Sequence, residues 1–182
     1  DFDLCLFRAG PEGDEHMTLA MGDFGDGQDV LARVHSECFT GEVLGSQRCD
    51  CADQLERAMQ AIAAEGRGVI VYLRQEGRGI GLEAKIKAYA LQDVGYDTLD
   101  ANLALNLPAD ARDYSFCADM LRNVGVTQVK LMTNNPLKIR GLRANGIRVD
   151  ERMPHLAGRC EHNDHYLSTK QKRMGHLIPE QA

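Results

Sequence analysis

The residues best suited to chemistry lie in ARVHSECFTGEVLGSQRCDC, where cysteines fall as Cys38-x10-Cys49-x-Cys51. That spacing lets three thiolates converge on one point. Zinc takes cysteine sulfur readily; a structural site is normally closed by four protein ligands, whereas a catalytic site keeps one position for water. Three ligands without an obvious fourth therefore point to a catalytic metal. Two other readings stay open: three buried free thiols, since cysteine is among the most buried residue types, and a structural zinc closed by Cys160 or a histidine. Cys49 and Cys51 are too close in sequence for an unstrained disulfide, and a chain of 182 residues needs no disulfide staples. Cys5 and Cys117 stand alone in apolar patterns and are expected in the core.

A second cluster is LRQEGRGIGLEAK, in which Arg74, Glu76 and Arg78 occupy a turn with Gly77, Gly79 and Gly81 between an apolar run and a helical pattern. Backbone N–H groups of such a turn can hold an anion at a strand's carboxyl end, although a surface Glu76–Arg78 pair explains the charges equally well. The glycine spacing matches neither the dinucleotide-binding nor the P-loop pattern. TNNPLK, residues 133–138, repeats the placement. Thr133, Asn134 and Asn135 can cap a helix, while Lys138 in its first turn opposes the helix dipole unless an anion is bound there. LPADARDY brings Asp110 and Arg112 together, which ordinary first-turn acidity and surface charge also explain.

Those residues need elements to position them. VLARVH at 30–35, VIVYL at 69–73 and VKLMT at 129–133 read as buried strands, and the opening segment reads as another. Helices are expected over 53–65, with Leu55, Met59 and Ile62 on one side, over 82–93, with Ile86, Tyr89 and Ala90 on one side, over 114–124, and from Pro136 to before Gly146. The alternation predicts an α/β fold: one domain over 1–182, a mixed β-sheet with helices packed on its faces. Residues 153–182 read as a polar, solvated and mobile tail, although His155, His162, His165 and His176 also permit a metal-binding tract.

Composition sets the outer limits. With 43% hydrophobic and 26% charged residues the chain can build a full core, and its formal net charge of -6 argues against a nucleic-acid binder, which needs a broad basic face. No apolar run is long enough to span a membrane, and the start has no signal-peptide core, so a cytoplasmic protein is expected. The chain opens on Asp1 inside strand-like sequence, which leaves room for residues or a fused domain upstream.

Taken together, RVHSEC, RCDC, RQEGRGIGL, KAYALQDVGYDT, LPADARDY, LMTNNPLK and HNDHYLSTKQKRMGH resemble the GTP cyclohydrolase II family, in unbroken order from about Leu31 to His176. Segment 1–28 resembles it only loosely. Gln47, the Ala52-Asp53 pair, Leu137 and Cys160 depart from the family pattern without removing a functional group. The resemblance implies zinc on Cys38, Cys49 and Cys51, and substrate contacts from Arg33, Val34, His35, Ser36, Glu37, Gln54, Glu76, Gly77, Arg78, Thr98, Thr133 and Lys138. It implies a proton acceptor at Asp110, a nucleophile at Arg112 and a functional tyrosine at Tyr89. It further implies Mg²⁺ with the triphosphate, a homodimer, and hydrolytic opening of the GTP imidazole ring with loss of formate and pyrophosphate. The product would be 2,5-diamino-6-hydroxy-4-(5-phosphoribosylamino)pyrimidine, in the first step of riboflavin biosynthesis.

Several chemical expectations follow from that resemblance. Glu76 is suited to accept from the N–H donors of guanine. Arg112 suits charge stabilisation better than nucleophilic attack, because a guanidinium stays protonated at neutral pH. Two competing functions remain: a non-catalytic GTP-binding module with structural zinc, and a related enzyme that stops at the formylamino intermediate.

Overall fold

Apolar residues at alternate positions make the sheet, and helices follow where the period lengthens to three and four. The computed structural model describes residues 1–11 and 13–179. Its strands are β1 (Asp3–Arg8), β2 (Glu15–Met21), β3 (Val30–Ser36), β4 (Gly68–Leu73), β5 (Gln128–Met132) and β6 (Arg148–Met153). Its helices are α1 (Phe39–Glu42), α2 (Cys51–Glu65), α3 (Glu76–Gly79), α4 (Gly81–Asp93), α5 (Thr98–Ala104), α6 (Ser115–Asn123), α7 (Pro136–Ala144) and α8 (Asp164–Met174). The chain divides into two compact units, one of residues 1–35, 55–74 and 113–155, the other of residues 36–54, 75–112 and 156 onward.

The first unit carries the sheet, in the order β1-β2-β4-β3-β5-β6. β1–β2 and β2–β4 pair antiparallel, β3–β5 and β5–β6 parallel, so the sheet is mixed, as expected. Alternation along β3 and β4 splits the core in two. Val30, Ala32, Val34, Val69, Val71 and Leu73 pack with Cys117, Met120 and Leu121 of α6 and Leu142 of α7, whereas Leu31 and Ile70 pack with Ala58 and Ile62 of α2. Full burial of side chains such as Ile62 and Ile70 stabilises by about 2 kcal/mol each. α7 is capped by Asn135, whose Oδ1 accepts from Leu137 N–H at 2.9 Å, with Pro136 in the first turn as its fixed φ favours.

Three expectations need correction. Cys5 is exposed, because β1 is an edge strand on which Leu4 and Leu6 are exposed as well and Phe7 alone packs against the core. Cys117 is buried as expected, and burial pushes its thiol up to about 12. On α4 the buried positions are Lys85 and Ala88 while Ile86 is half exposed; an ion pair, described below, decides which face turns inward. The stretch expected as a solvated tail contains α8, with Leu167 and Thr169 buried; residues 180–182 of it lie outside the described residues.

Candidate functional site

The second unit is built around the three cysteines. Leaving β3, the chain turns at once into α1. Cys38 N–H donates to Glu42 Oε1 at 3.0 Å and Cys38 O accepts from Glu42 N–H at 2.9 Å, so the turn is closed at both ends. α2 then begins on Cys51. The sulfurs of Cys38, Cys49 and Cys51 all lie within 4.8 Å of one another, with 3.5 Å between Cys38 Sγ and Cys49 Sγ. Tetrahedral zinc with bonds of about 2.3 Å separates its sulfur ligands by roughly 3.8 Å, so the donor set fits that ion. Gly41 leaves the space: a Cβ there would sit 3.1 Å from Cys49 Sγ and 3.3 Å from Cys38 Sγ.

The electrostatics of the cluster match a cation. Hydrogen bonds from Cys49 and then Cys51 pull the Cys38 thiol far below the ordinary range. Sharing with Cys38 pushes Cys49 up to about 11, and sharing with Cys38 and Cys49, together with burial, pushes Cys51 well up too. Three thiolates this close repel one another, and a divalent ion at their centre would allow all three to ionise. Among the described residues no further His, Cys, Asp or Glu joins the group, and Cys160 Sγ lies instead 4.0 Å from Gln47 O. A fourth protein ligand from Cys160 or a histidine therefore has no support in this geometry.

Lys85 was not anticipated from the sequence. Its Nζ donates to Glu76 Oε1 at 2.8 Å and to Cys38 Sγ at 3.2 Å. Burial pulls its pKa down, but Glu76 and Cys38 outweigh burial and keep the ammonium charged. Glu76 also accepts from Gly77 N–H at 2.6 Å and Phe39 N–H at 2.7 Å. Three of its roughly four acceptor sites are used, which leaves room for about one further bond. One turn after Lys85, Tyr89 places its ring 5.7 Å from the ammonium and its hydroxyl 3.3 Å from Thr40 Oγ1. Burial raises the phenol pKa, so Tyr89 holds its proton.

The glycine-rich turn is folded back on the 110–112 loop. Gly77 and Arg78 both have left-handed backbone, φ 62° and 65°, which for arginine is a strained conformation. It directs Arg78 Nη2 to Thr98 O at 3.1 Å. Arg78 O accepts from Ala111 N–H at 3.0 Å, and a Cβ on Gly79 would meet the Ala111 carbonyl at 3.0 Å, so glycine permits the approach. Beside Ala111, Arg112 forms a two-point pair with Asp110, Nε–Oδ1 2.8 Å and Nη2–Oδ2 2.5 Å. Burial raises the Asp110 carboxyl, but Arg112 outweighs it and the net shift is downward.

These groups surround one cleft that opens to solvent, with about 650 Å³ of space when its mouth is counted. Ser36, Glu37, Cys38, Cys49, Cys51, Glu76, Gly77, Arg78, Tyr89, Thr98 and Arg112 line it, all of them anticipated, together with Lys85, Asn102 and Tyr166, which were not. Gln54 is not on the lining; it donates to Asp50, between the two cysteines. The remaining expected residues belong to the sheet-bearing unit. There Arg33 Nη1 donates to Met132 O at 2.9 Å, Lys138 Nζ donates to Val34 O at 2.8 Å, His35 stacks on Tyr72, and Thr133 Oγ1 accepts from Asn135 N–H at 3.0 Å.

Comparison with known proteins identifies the family. The family model for GTP cyclohydrolase II matches residues 1–154. The chain belongs to the GTP cyclohydrolase II family. It is 54% identical over 177 residues to a GTP cyclohydrolase-2 of Hahella chejuensis and 57% identical over 177 residues to one of Pseudomonas fluorescens, each alignment covering 97% of this chain and 86% of the relative. A GTP cyclohydrolase-2 of Azotobacter vinelandii is 57% identical over 166 residues, 91% of this chain and 80% of the relative. The GTP cyclohydrolase II model extends to residue 1, so the first 28 residues, which resembled the family only loosely, belong to it as well.

Proposed function

We propose that the chain is a zinc-dependent GTP cyclohydrolase II that opens the imidazole ring of GTP and releases formate and pyrophosphate, the first step of riboflavin biosynthesis. The observation that carries the reading is the three-sulfur cluster lining the same cleft as Arg78, Arg112 and Tyr89. A zinc ion on Cys38, Cys49 and Cys51 would supply an activated water for attack on the base. Every other step falls to side chains. Arg78 and Arg112, with Mg²⁺ on the nucleotide, compensate the triphosphate charge, and the fixed Asp110 pair aims Arg112 at the phosphoryl group as a charge stabiliser. The Asp110 carboxylate is the proposed proton acceptor.

Glu76 takes one hydrogen bond from guanine, and Ser36, Glu37, Gly77 and Thr98 supply further contacts. Gln54 acts through Asp50. Substrate contacts are also proposed for Arg33, Val34, His35, Thr133 and Lys138. We propose a cytoplasmic homodimer acting on a free nucleotide; Leu4 and Leu6, well exposed on edge strand β1, offer apolar surface for a second copy. Among the described residues no helix is long and apolar enough to cross a membrane.

Tyr89 tests how the reaction finishes. Cleaving the ring-opened formamide must protonate an amine leaving group, a task for a phenol that keeps its proton. Tyr89→Phe is expected to consume GTP and release pyrophosphate while the formylamino pyrimidine accumulates, read by product mass. Formate and pyrophosphate in equal amounts at the unmodified rate would show that Tyr89 only packs.

A further inference from the structure

The match to the family model ends at residue 154, yet a wall of the cleft comes from beyond it. The chain reaches that wall through a fixed loop. Asn163, 1% exposed, accepts from Cys160 N–H at 2.9 Å and donates to Gly158 O at 2.6 Å. Gly158, at φ +61°, passes so close to Asp53 of α2 that no Cβ fits there. α8 follows, and residues 166, 170 and 173–174, one helical face, each meet an element already placed at the cleft. Tyr166 lines it. Lys170 Nζ lies 4.0 Å from the centre of the Tyr166 ring and pairs at 3.2 Å with Asp50, which is buried between Cys49 and Cys51. Arg173 pairs with Asp97, the N-cap of α5, and with Asp100 at 2.8 and 3.0 Å, while Met174 Sδ accepts from Arg78 Nη1 at 3.7 Å.

We infer that α8 is a working part of the active site: Tyr166 contacts the bound nucleotide, and Lys170 and Arg173 are positioning residues that hold the cysteine loop and the start of α5. Lys170 is suited to this because its partner lies between two metal ligands. The pair is largely out of water, with side-chain exposure of 15% and 4%, so neither partner is readily replaced by solvent. Outer partners of this kind fix the orientation of metal ligands. Tyr166 is suited to its part because it lines the cleft together with Arg78 and Arg112 on the one hand and Cys49 and Cys51 on the other, the two ends at which the nucleotide reading needs a phosphate and a base.

The test uses the full, zinc-loaded chain. Lys170→Met is expected to speed zinc release to a competing chelator by about tenfold or more, and Lys170→Arg to return it close to the unmodified rate. Tyr166→Ala is expected to raise the KM for GTP by about tenfold, with kcat within about twofold and zinc per chain unchanged. Amide exchange across β4 is the folding control, and Lys170→Gln replaces Lys170→Met if that control moves. Unmodified zinc release in Lys170→Met, or in Lys170→Gln where it takes that variant's place, or an unmodified KM in Tyr166→Ala, overturns the inference. The contact with nucleotide rests on the proposed function, but zinc release is read without substrate. A chain inert toward GTP would thus overturn the functional reading, and the metal would still decide whether α8 anchors the cysteine loop.

Discussion

Cys49→Ser is expected to lose zinc and turnover together. Among the described residues only three sulfurs converge at the centre, so removal of one leaves two, below the three protein ligands of catalytic zinc sites. Serine offers a neutral hydroxyl where cysteine under coordination offers a thiolate, so both charge and donor are lost. The loss should exceed the roughly tenfold to hundredfold typical of an outer partner, which puts zinc affinity down by more than about a hundredfold. Metal analysis of purified Cys38→Ser, Cys49→Ser and Cys51→Ser chains checks it, alongside formate release. Full zinc occupancy in all three would overturn the ligand assignment.

Arg112→Lys is expected to lower kcat by about a thousandfold, the lower end of what a transition-state arginine contributes to phosphoryl transfer. The two-point bond to Asp110 fixes the plane of the guanidinium, and an ammonium reproduces neither the plane nor the paired donors. Arg78→Lys makes the contrast. Arg78 bonds a backbone carbonyl at the start of α5, and its loss should raise KM by about tenfold with a smaller change in kcat. Steady-state pyrophosphate release by both variants decides. Near-unmodified release by Arg112→Lys would leave Arg112 without a special part in the phosphoryl step.

Much of the site was legible because its signals are local. The Cys38-x10-Cys49-x-Cys51 spacing needs only a short turn and a helix start to bring three sulfurs together, and α1 and α2 supply them. The glycines at 77 and 79 marked positions that the backbone uses at positive φ. Strands β3, β4 and β5 were visible because both faces are buried and their apolar runs are continuous. β2 was not read, since His16 and Thr18 occupy its buried positions and mask the alternation. β6 was not read because an edge strand of sequence RVDERM buries little beyond Val149.

Charges inside the fold account for the rest. On α4 the apolar letters favoured Ile86 on the inner face, whereas Lys85 is buried because Glu76 and Cys38 compensate its charge. Sequence did hold a signal for it, a lysine one turn before the functional tyrosine. α8 reads as a solvated tail by composition because its cohesion comes from Lys170 and Arg173 meeting aspartates far away in sequence. Hydrophobic patterning contains no trace of such pairings. The three internal donors to the Glu76 carboxylate are likewise visible only in three dimensions.

The most direct test of the central claim, that the three-thiolate centre drives ring opening of GTP, is formate release by the same chain with and without zinc. The chain is stripped by a chelator, assayed with GTP and Mg²⁺, then restored with one equivalent of zinc and assayed again, with pyrophosphate measured in parallel. The prediction is no formate from the stripped chain, and formate and pyrophosphate in equal amounts once zinc is returned. Undiminished formate release by a chain shown to be free of metal would contradict it.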